Sequence, residues 1–584
     1  MTHVLELIFT RPKTLTLSLC SAALLSLSAC GGGGSSGGAT IAPPPTGTTI
    51  SKAFKTEQST QQFLTRASFG PTQSGIDSLM GTEVSTWLVA EFNKPTAPIL
   101  PTLITEKAAL PEDERIALRR ITDLYLDNAI AGDDQLRQRM TLALSEIVVV
   151  SSGGFNSFPL GMAYYVDTLS ENAFGNYEDL LKDISYSPAM GLWLTYIQNE
   201  KGDADTGRVP DENYAREILQ LFSIGLIELN MDGTPKLDSA GNEVETFDND
   251  DITGLAKVFT GMSVDNGRFY NVYRDRENWY QPMVFYPEHH SELEKTFLGT
   301  TIPANTSGPE SFDLALKQIF DHPNLAPFVS KQLIQRFVTS NPSPAYIGRV
   351  ASAFEIGRYV LPNGNRVGTG RRGDLRATIA AVLTDAQALQ DPASKPADFG
   401  KVREPLIRVI NWARAFNETT PDTANEYYLS DRNTALRQTA FRAPSVFNFF
   451  RPGYIAAGMA TGDAGLVAPE LQIVNESSAI EYVNFINRFI YDTSPTYDDD
   501  DEAGVNADYT AQLAIADNAQ ALMDNLDLLL TGNELNSEAK TKMVALLETM
   551  AVNTGTDTED DDRLSRVHVA ISMVMTSPGY LVQR

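Results

Sequence analysis

Cysteine is nearly missing: the 584 residues hold two, Cys20 and Cys30. Everything after Cys30 is therefore without disulfides, thiol nucleophiles and cysteine-ligated metals. Histidine is almost as scarce, five in all, with His3 at the N-terminal end. His289 and His290 stand beside Glu288 and Glu292, but adjacent side chains of an extended segment point to opposite faces and rarely share one ion. His322 precedes a proline, where a turn role is sufficient. No metal site and no cofactor is expected. Positive charge is also short: 46 Lys and Arg against 74 Asp and Glu give a formal net charge of −28. A nucleic-acid backbone or an anionic lipid surface would be repelled, which argues against either as the main partner. Nucleophile elbow, phosphate-binding glycine loop and HExxH helix are all absent from the sequence.

The N-terminus reads as an address. Arg11 and Lys13 precede an apolar run from Leu15 to Leu27, short for a membrane span, and Leu27-Ser28-Ala29-Cys30 has the form of a bacterial lipobox. Residues 1–30 are thus expected to be a lipoprotein signal peptide, with Cys30 lipidated as the mature N-terminus. Gly31 after the cysteine favours sorting to the outer membrane of a Gram-negative cell. Residues 31–53 are Gly/Ser- and then Pro-rich, a linker with an end-to-end span of roughly 25 Å. It would hold the body, 54–584, just off a membrane.

In the body, 3.6-residue apolar periodicity dominates, and alternating βα units and fixed repeats are missing. Helices are expected over 112–131, 134–150, 161–172, 177–185, 188–198, 250–262, 311–321, 324–339, 344–358, 374–384, 402–416, 476–491, 511–530, 537–551 and 562–575. Turn residues in 229–247 predict a small hairpin, and 266–302 reads as loops and short strands. The fold class is all-α, one large body or two lobes split by the 266–302 insert. The acidic tracts 498–502 and 559–562 read as solvated loops or helix starts, and 203–207 is a partial calcium-loop match.

The most ordered stretch is 211–225, DENYAREILQLFSIG. On a helical wheel Asn213, Arg216, Glu217 and Gln220 form a narrow polar stripe opposite a broad apolar arc. Asp211 can cap the start and Gly225 can end the helix in the left-handed conformation. The stripe is either the helix's wet face or the wall of an internal site. Glu146, inside the apolar run 142–150, is either a desolvated carboxylate of raised pKa or faces an arginine or the edge of its helix. Arg66, Arg216, Arg336, Arg403, Arg442 and Arg451 lie in apolar or aromatic sequence and need partners, Glu217 and Glu404 being natural ones. They are internal struts, or they line a cleft for an anionic or polyhydroxy ligand.

These segments resemble a known family, the bacterial "domain of unknown function 1800" proteins. The motifs in order are RASFGPT (66–72), NAFGNYEDLL (172–181), PDENYAREILQLFSIGL (210–226) and KTFLG (295–299). HPNLAPFVSKQLIQRFVTSNPSPAYIGRV (322–350), RAPSVFNFFRPGY (442–454), APELQIVNESS (468–478) and TSPGYLVQ (576–583) complete the set. The resemblance implies a predominantly helical, exported protein. It also implies a co-exported "domain of unknown function 1501" partner, whose own family resembles secreted sulfatases. Many members carry Trp-His-x-His where this chain has Leu144-Ser145-Glu146-Ile147, so two histidines are missing here. The leading expectation is a lipid-anchored binding or assembly component of the cell envelope. The alternative is an envelope hydrolase acting on a glycan or other polar substrate. Its catalytic candidates are Glu217, Arg216 and Glu146, and its binding candidates are Asn213, Gln220, Arg442 and Arg451.

Overall fold

The periodic segments are helices in the computed structural model, which describes residues 53–111, 114–154, 158–270, 279–390, 394–416, 436–491 and 507–584. Cys30, the signal segment, nearly all of the linker and the acidic tract 498–502 lie outside the described residues. Tyr177–Ser185 and Glu476–Tyr491 have the expected bounds. Other helices are shorter. Pro188–Trp193 stops early because Thr195 and Gln198 take left-handed backbone angles, φ 60° and 61°. The expected 511–530 helix is broken into Thr510–Leu513, Ala519–Leu526 and a π turn, Asp527–Thr531.

Strands among the described residues form only two-stranded antiparallel ladders. Two of them, Met262–Ser263 with Val284–Phe285 and Lys295–Phe297 with Thr300–Ile302, fall in or beside the predicted insert. A third joins Lys401–Val402 to Val582–Gln583 and so ties the C-terminus to the centre. The expected hairpin is present as the bridges Ile227↔Glu245, Leu229↔Pro235 and Leu237↔Glu243. The class is predominantly helical. One buried apolar cluster runs from Phe54 to Tyr580.

Four helices position the centre: α1 (Gln135–Ser145), α2 (Asn213–Gln220), α3 (Leu325–Phe337) and α4 (Pro405–Ala415). All residues of α1 are buried, including Arg137 and Arg139. Helix α3 is buried except at Phe328 and Lys331, which are spaced i, i+3 and so share one face. Helix α2 is shorter than 211–225. The expected cap at Asp211 is not formed: Glu212 stands at the N-cap without a side-chain cap bond, and Asp211, one residue earlier, makes a turn by accepting the Asn213 N–H at 2.8 Å. Gly225 is left-handed (φ 70°) and donates to the Leu219 carbonyl at 2.9 Å. A Cβ at Gly225 would lie 2.6 Å from the Phe328 ring, so glycine is required both by the backbone and by the packing of α3.

Candidate functional site

One face of α3 walls a cavity of about 560 Å³. Phe328, Lys331, Gln332, Gln335 and Arg336 line it from that helix, and residues 220–229, residues 446–453 and Glu146–Ile147 supply the other sides. It opens past Leu226, Phe447 and Arg451, which are exposed. The i, i+3, i+4, i+7, i+8 spacing puts these α3 side chains on one stripe, and Phe328 to Arg336 spans about 12 Å at 1.5 Å per residue.

The two ends differ. At the start of α3 the Asn324 side chain clamps the incoming segment. Its amide donates to the Ile224 and Ile227 carbonyls (2.6 and 2.8 Å), and its carbonyl accepts the Leu229 N–H. This end is apolar, made by Phe328, Leu226, Ile227 and Leu229. At the other end Gln335 donates to the Pro452 carbonyl at 3.2 Å, and Arg336 donates to the Glu146 carbonyl at 2.7 Å. The Arg336 and Glu146 side chains also pair at 3.3 Å, both almost fully buried.

Behind this pair lies a buried charge network. Glu404, at the start of α4, meets Lys401 at 3.3 Å and Arg139 at 4.0 Å, and Lys401 also reaches Glu470 at 3.1 Å. The Gln438 amide donates to both carboxylates, to Glu404 at 2.8 Å and to Glu146 at 3.4 Å. Three cations thus face three carboxylates away from water, an arrangement that balances only if geometry and charge both close. Burial, and then the Glu404 charge, push the Glu146 carboxyl well above its ordinary 4.5, against the pull of Arg336. Burial acts on Glu404 too, but Lys401 and Arg139 outweigh it and hold that carboxyl down to about 2. The two adjacent carboxylates are therefore driven in opposite directions, Glu404 toward the ionised form and Glu146 toward the protonated one.

Two cations in the cavity are differently placed. Among the described residues no hydrogen bond or ion pair reaches the Lys331 ammonium, and burial alone lowers its pKa. Arg451 lays its guanidinium 4.4 Å above the Phe447 ring, with no carboxylate beside it among the described residues. In a chain of net charge −28 the cavity wall is locally basic.

Across residues 62–582 the chain matches the model of one family, described as protein of unknown function (DUF1800). The chain belongs to this family. No curated protein and no solved structure matches it.

The structure distributes the residues singled out in this DUF1800 chain unevenly. Glu146, Gln220 and Arg451 converge on the cavity; Arg216, Glu217, Asn213 and Arg442 do not line it. Arg216 pairs on the surface with Glu212 at 3.6 Å. Glu217 points elsewhere: its Oε2 is buried without a hydrogen-bond partner among the described residues, and burial raises its pKa, Arg216 partly offsetting this. Asn213 donates to Thr195 Oγ1 at 2.7 Å on the exterior. Arg442 is half-buried.

The expected partnerships of sequence neighbours also differ. Glu404 does serve buried cations, though Arg139 and Lys401 rather than its neighbour Arg403, and Arg216 takes Glu212 rather than Glu217. Arg403 instead lies over Tyr580 at 4.7 Å and donates to the Leu530 carbonyl. Arg66 is a strut, donating to the Ala388 and Arg584 carbonyls at 2.6 Å each. Glu146 satisfies both of its expected readings, desolvated and facing an arginine.

His289 bonds Glu200 at 2.8 Å and stacks on Phe269, while the His290 Nδ1 meets the Thr260 carbonyl at 2.9 Å. His322 serves the turn, accepting the Asn324 N–H at 3.2 Å. Among the described residues no group of three or more His, Cys, Asp and Glu could hold a metal ion.

Sequence reasoning missed Lys331, Arg139, Lys401, Gln438 and Glu470. One signal was available for Lys331: in LAPFVSKQLIQRF, the polar residues Lys331, Gln332, Gln335 and Arg336 fall on one helical stripe.

Proposed function

We propose that this chain is a lipid-anchored binding component of the cell envelope, whose cavity takes a small organic anion. The observation that carries the reading is the pair of cations, Lys331 and Arg451, set without carboxylate partners among the described residues in the wall of a cavity of ligand size. A cation half out of water gains most from an anion that is also half out of water. The lipobox at Leu27–Cys30 and the tether at 31–53 support the address, the outer membrane of a Gram-negative cell. A co-exported "domain of unknown function 1501" protein is the natural recipient or source of the ligand.

The test is thermal unfolding against a panel of carboxylates and phosphates, each matched with a neutral analogue. At least one anion should raise the Tm, and the combined Lys331→Gln and Arg451→Gln variant should remove the rise. A panel in which no anion shifts the Tm contradicts the reading.

One observation favours a second reading, the envelope hydrolase. Glu146 stands at the cavity wall beside Arg336 with its carboxyl pushed up by burial, the direction a general acid needs. In that case Glu146, rather than Glu217, is the acid, and Glu146→Gln abolishes turnover of a glycan or ester while leaving the fold intact.

A further inference from the structure

We infer that the occupant of the α3 cavity is an amphiphilic acid, a single anionic head on an extended apolar body. The head lies toward Lys331, Arg336 and Arg451 and the body lies against Phe328, Leu226 and Leu229. This rests on the anion-binding reading above and narrows it to a ligand class.

The argument is the gradient along α3. The apolar end offers almost nothing to a hydroxyl-rich ligand, because its polar groups already have partners. The Asn324 side chain is engaged by Ile224, Ile227 and Leu229. The Gly225 carbonyl accepts the Thr246 hydroxyl, the Leu226 carbonyl accepts the Thr246 N–H at 3.0 Å, and the Glu228 N–H donates to Val244 at 2.7 Å. A sugar lying there would lose its hydration without replacement hydrogen bonds, whereas a hydrocarbon gains by leaving water.

One turn further along the same helix face, about 4.5 Å, the order reverses at Lys331, and the polar stretch runs on to Arg336, about 12 Å from Phe328. Lys331 is unpartnered among the described residues, and Arg451 is held by the Phe447 ring with its N–H edge clear of any carboxylate among them. Of the other polar side chains in the lining, Gln335 donates to the Pro452 carbonyl and Arg336 pairs with Glu146, while Gln220 and Gln332 add neutral amides and no further charge. A single head group therefore meets two uncommitted cations, and a long polyanion would run into the apolar end. The rim continues the theme: Leu226 is 53 % exposed and Phe447 36 %, an apolar entrance on a protein tethered near a membrane.

The test uses the mature chain from residue 31 onward, which carries neither the signal segment nor the lipid, with decanoate as the probe in isothermal titration calorimetry. Each buried methylene should strengthen binding roughly three- to fourfold, so hexanoate should bind about a hundredfold more weakly than decanoate. Decanol should bind weakly, and Lys331→Gln should lower decanoate affinity about tenfold. Citrate or glucuronate binding as tightly as decanoate would overturn the amphiphile while leaving anion binding in place. Failure of every anion would remove both. A second arm separates a free acid from a membrane lipid, using sedimentation with phosphatidylglycerol vesicles. Vesicle binding that depends on Lys331 and is displaced by decanoate supports the inference with the membrane as source. Vesicle binding that decanoate leaves untouched counts against it.

Discussion

Substituting the two side chains of the buried Arg336–Glu146 pair should have very unequal consequences. Both are almost fully buried, 6 % and 3 % exposed, and Arg336 also donates to the Glu146 carbonyl. In Arg336→Ala the network keeps Glu146, Glu404 and Glu470 but loses one of its three cations, and the Glu146 backbone loses its donor. Leaving that carbonyl without a donor and emptying the space of a large buried side chain should cost about 2–5 kcal/mol. Glu146→Gln is different if the Glu146 carboxyl already carries a proton. The amide keeps the shape and neutrality of the protonated acid and still accepts from Gln438, so the cost should stay under about 1 kcal/mol. The assay is urea denaturation of both variants near neutral pH, followed by far-ultraviolet circular dichroism, with the midpoints compared. A Glu146→Gln variant as unstable as Arg336→Ala would refute the reasoning, because it would make Glu146 the ionised partner of Arg336.

Anion affinity should fall as pH rises, because ionisation of Glu146 adds a negative charge to the cavity wall. The same titration affects stability. Folding raises the Glu146 pKa above its ordinary 4.5, so its contribution is full below that value and is lost as pH rises through the raised one. Titration calorimetry and urea midpoints across pH should show both slopes, and both should flatten in Glu146→Gln. Gly225→Ala should cost about 2 kcal/mol or more in urea denaturation, from the left-handed backbone and the collision with Phe328. A change within a few tenths of a kcal/mol would mean that α3 yields there. Cys30→Ser should abolish incorporation of labelled palmitate into the protein, and continued labelling would place the lipid elsewhere.

The helical class was legible because periodic apolar patterns of this length leave little choice, and the left-handed Gly225 could be read from residue type alone, whereas the start of α2 falls two residues after Asp211. The site was legible only in part. Glu146 stood out as a lone carboxylate in an apolar run, and it lies at the heart of the buried network. The polar stripe of α2 did not act as a unit. Gln220, in its last turn, reaches the cavity, while Arg216 and Glu217, one turn earlier, do not. A helical wheel tells which side chains share a face but not what that face meets along its length. Lys331 drew no notice because one lysine on an amphipathic helix is ordinarily solvated. What sets it apart is that 220–229 and 446–453 close over it, a fact of tertiary packing. The Glu146–Glu404 pairing is likewise invisible locally, since it depends on Gln438 bridging two helix ends far apart in sequence.

Diffraction from crystals soaked with an ω-bromo derivative of decanoate would test the anion cavity most directly, since the anomalous signal locates the bromine without bias. The account predicts one bromine peak beside Phe328 and Leu226, with the carboxylate density between Lys331 and Arg336. A peak outside the cavity, or a carboxylate lodged at the Phe328 end, would contradict it.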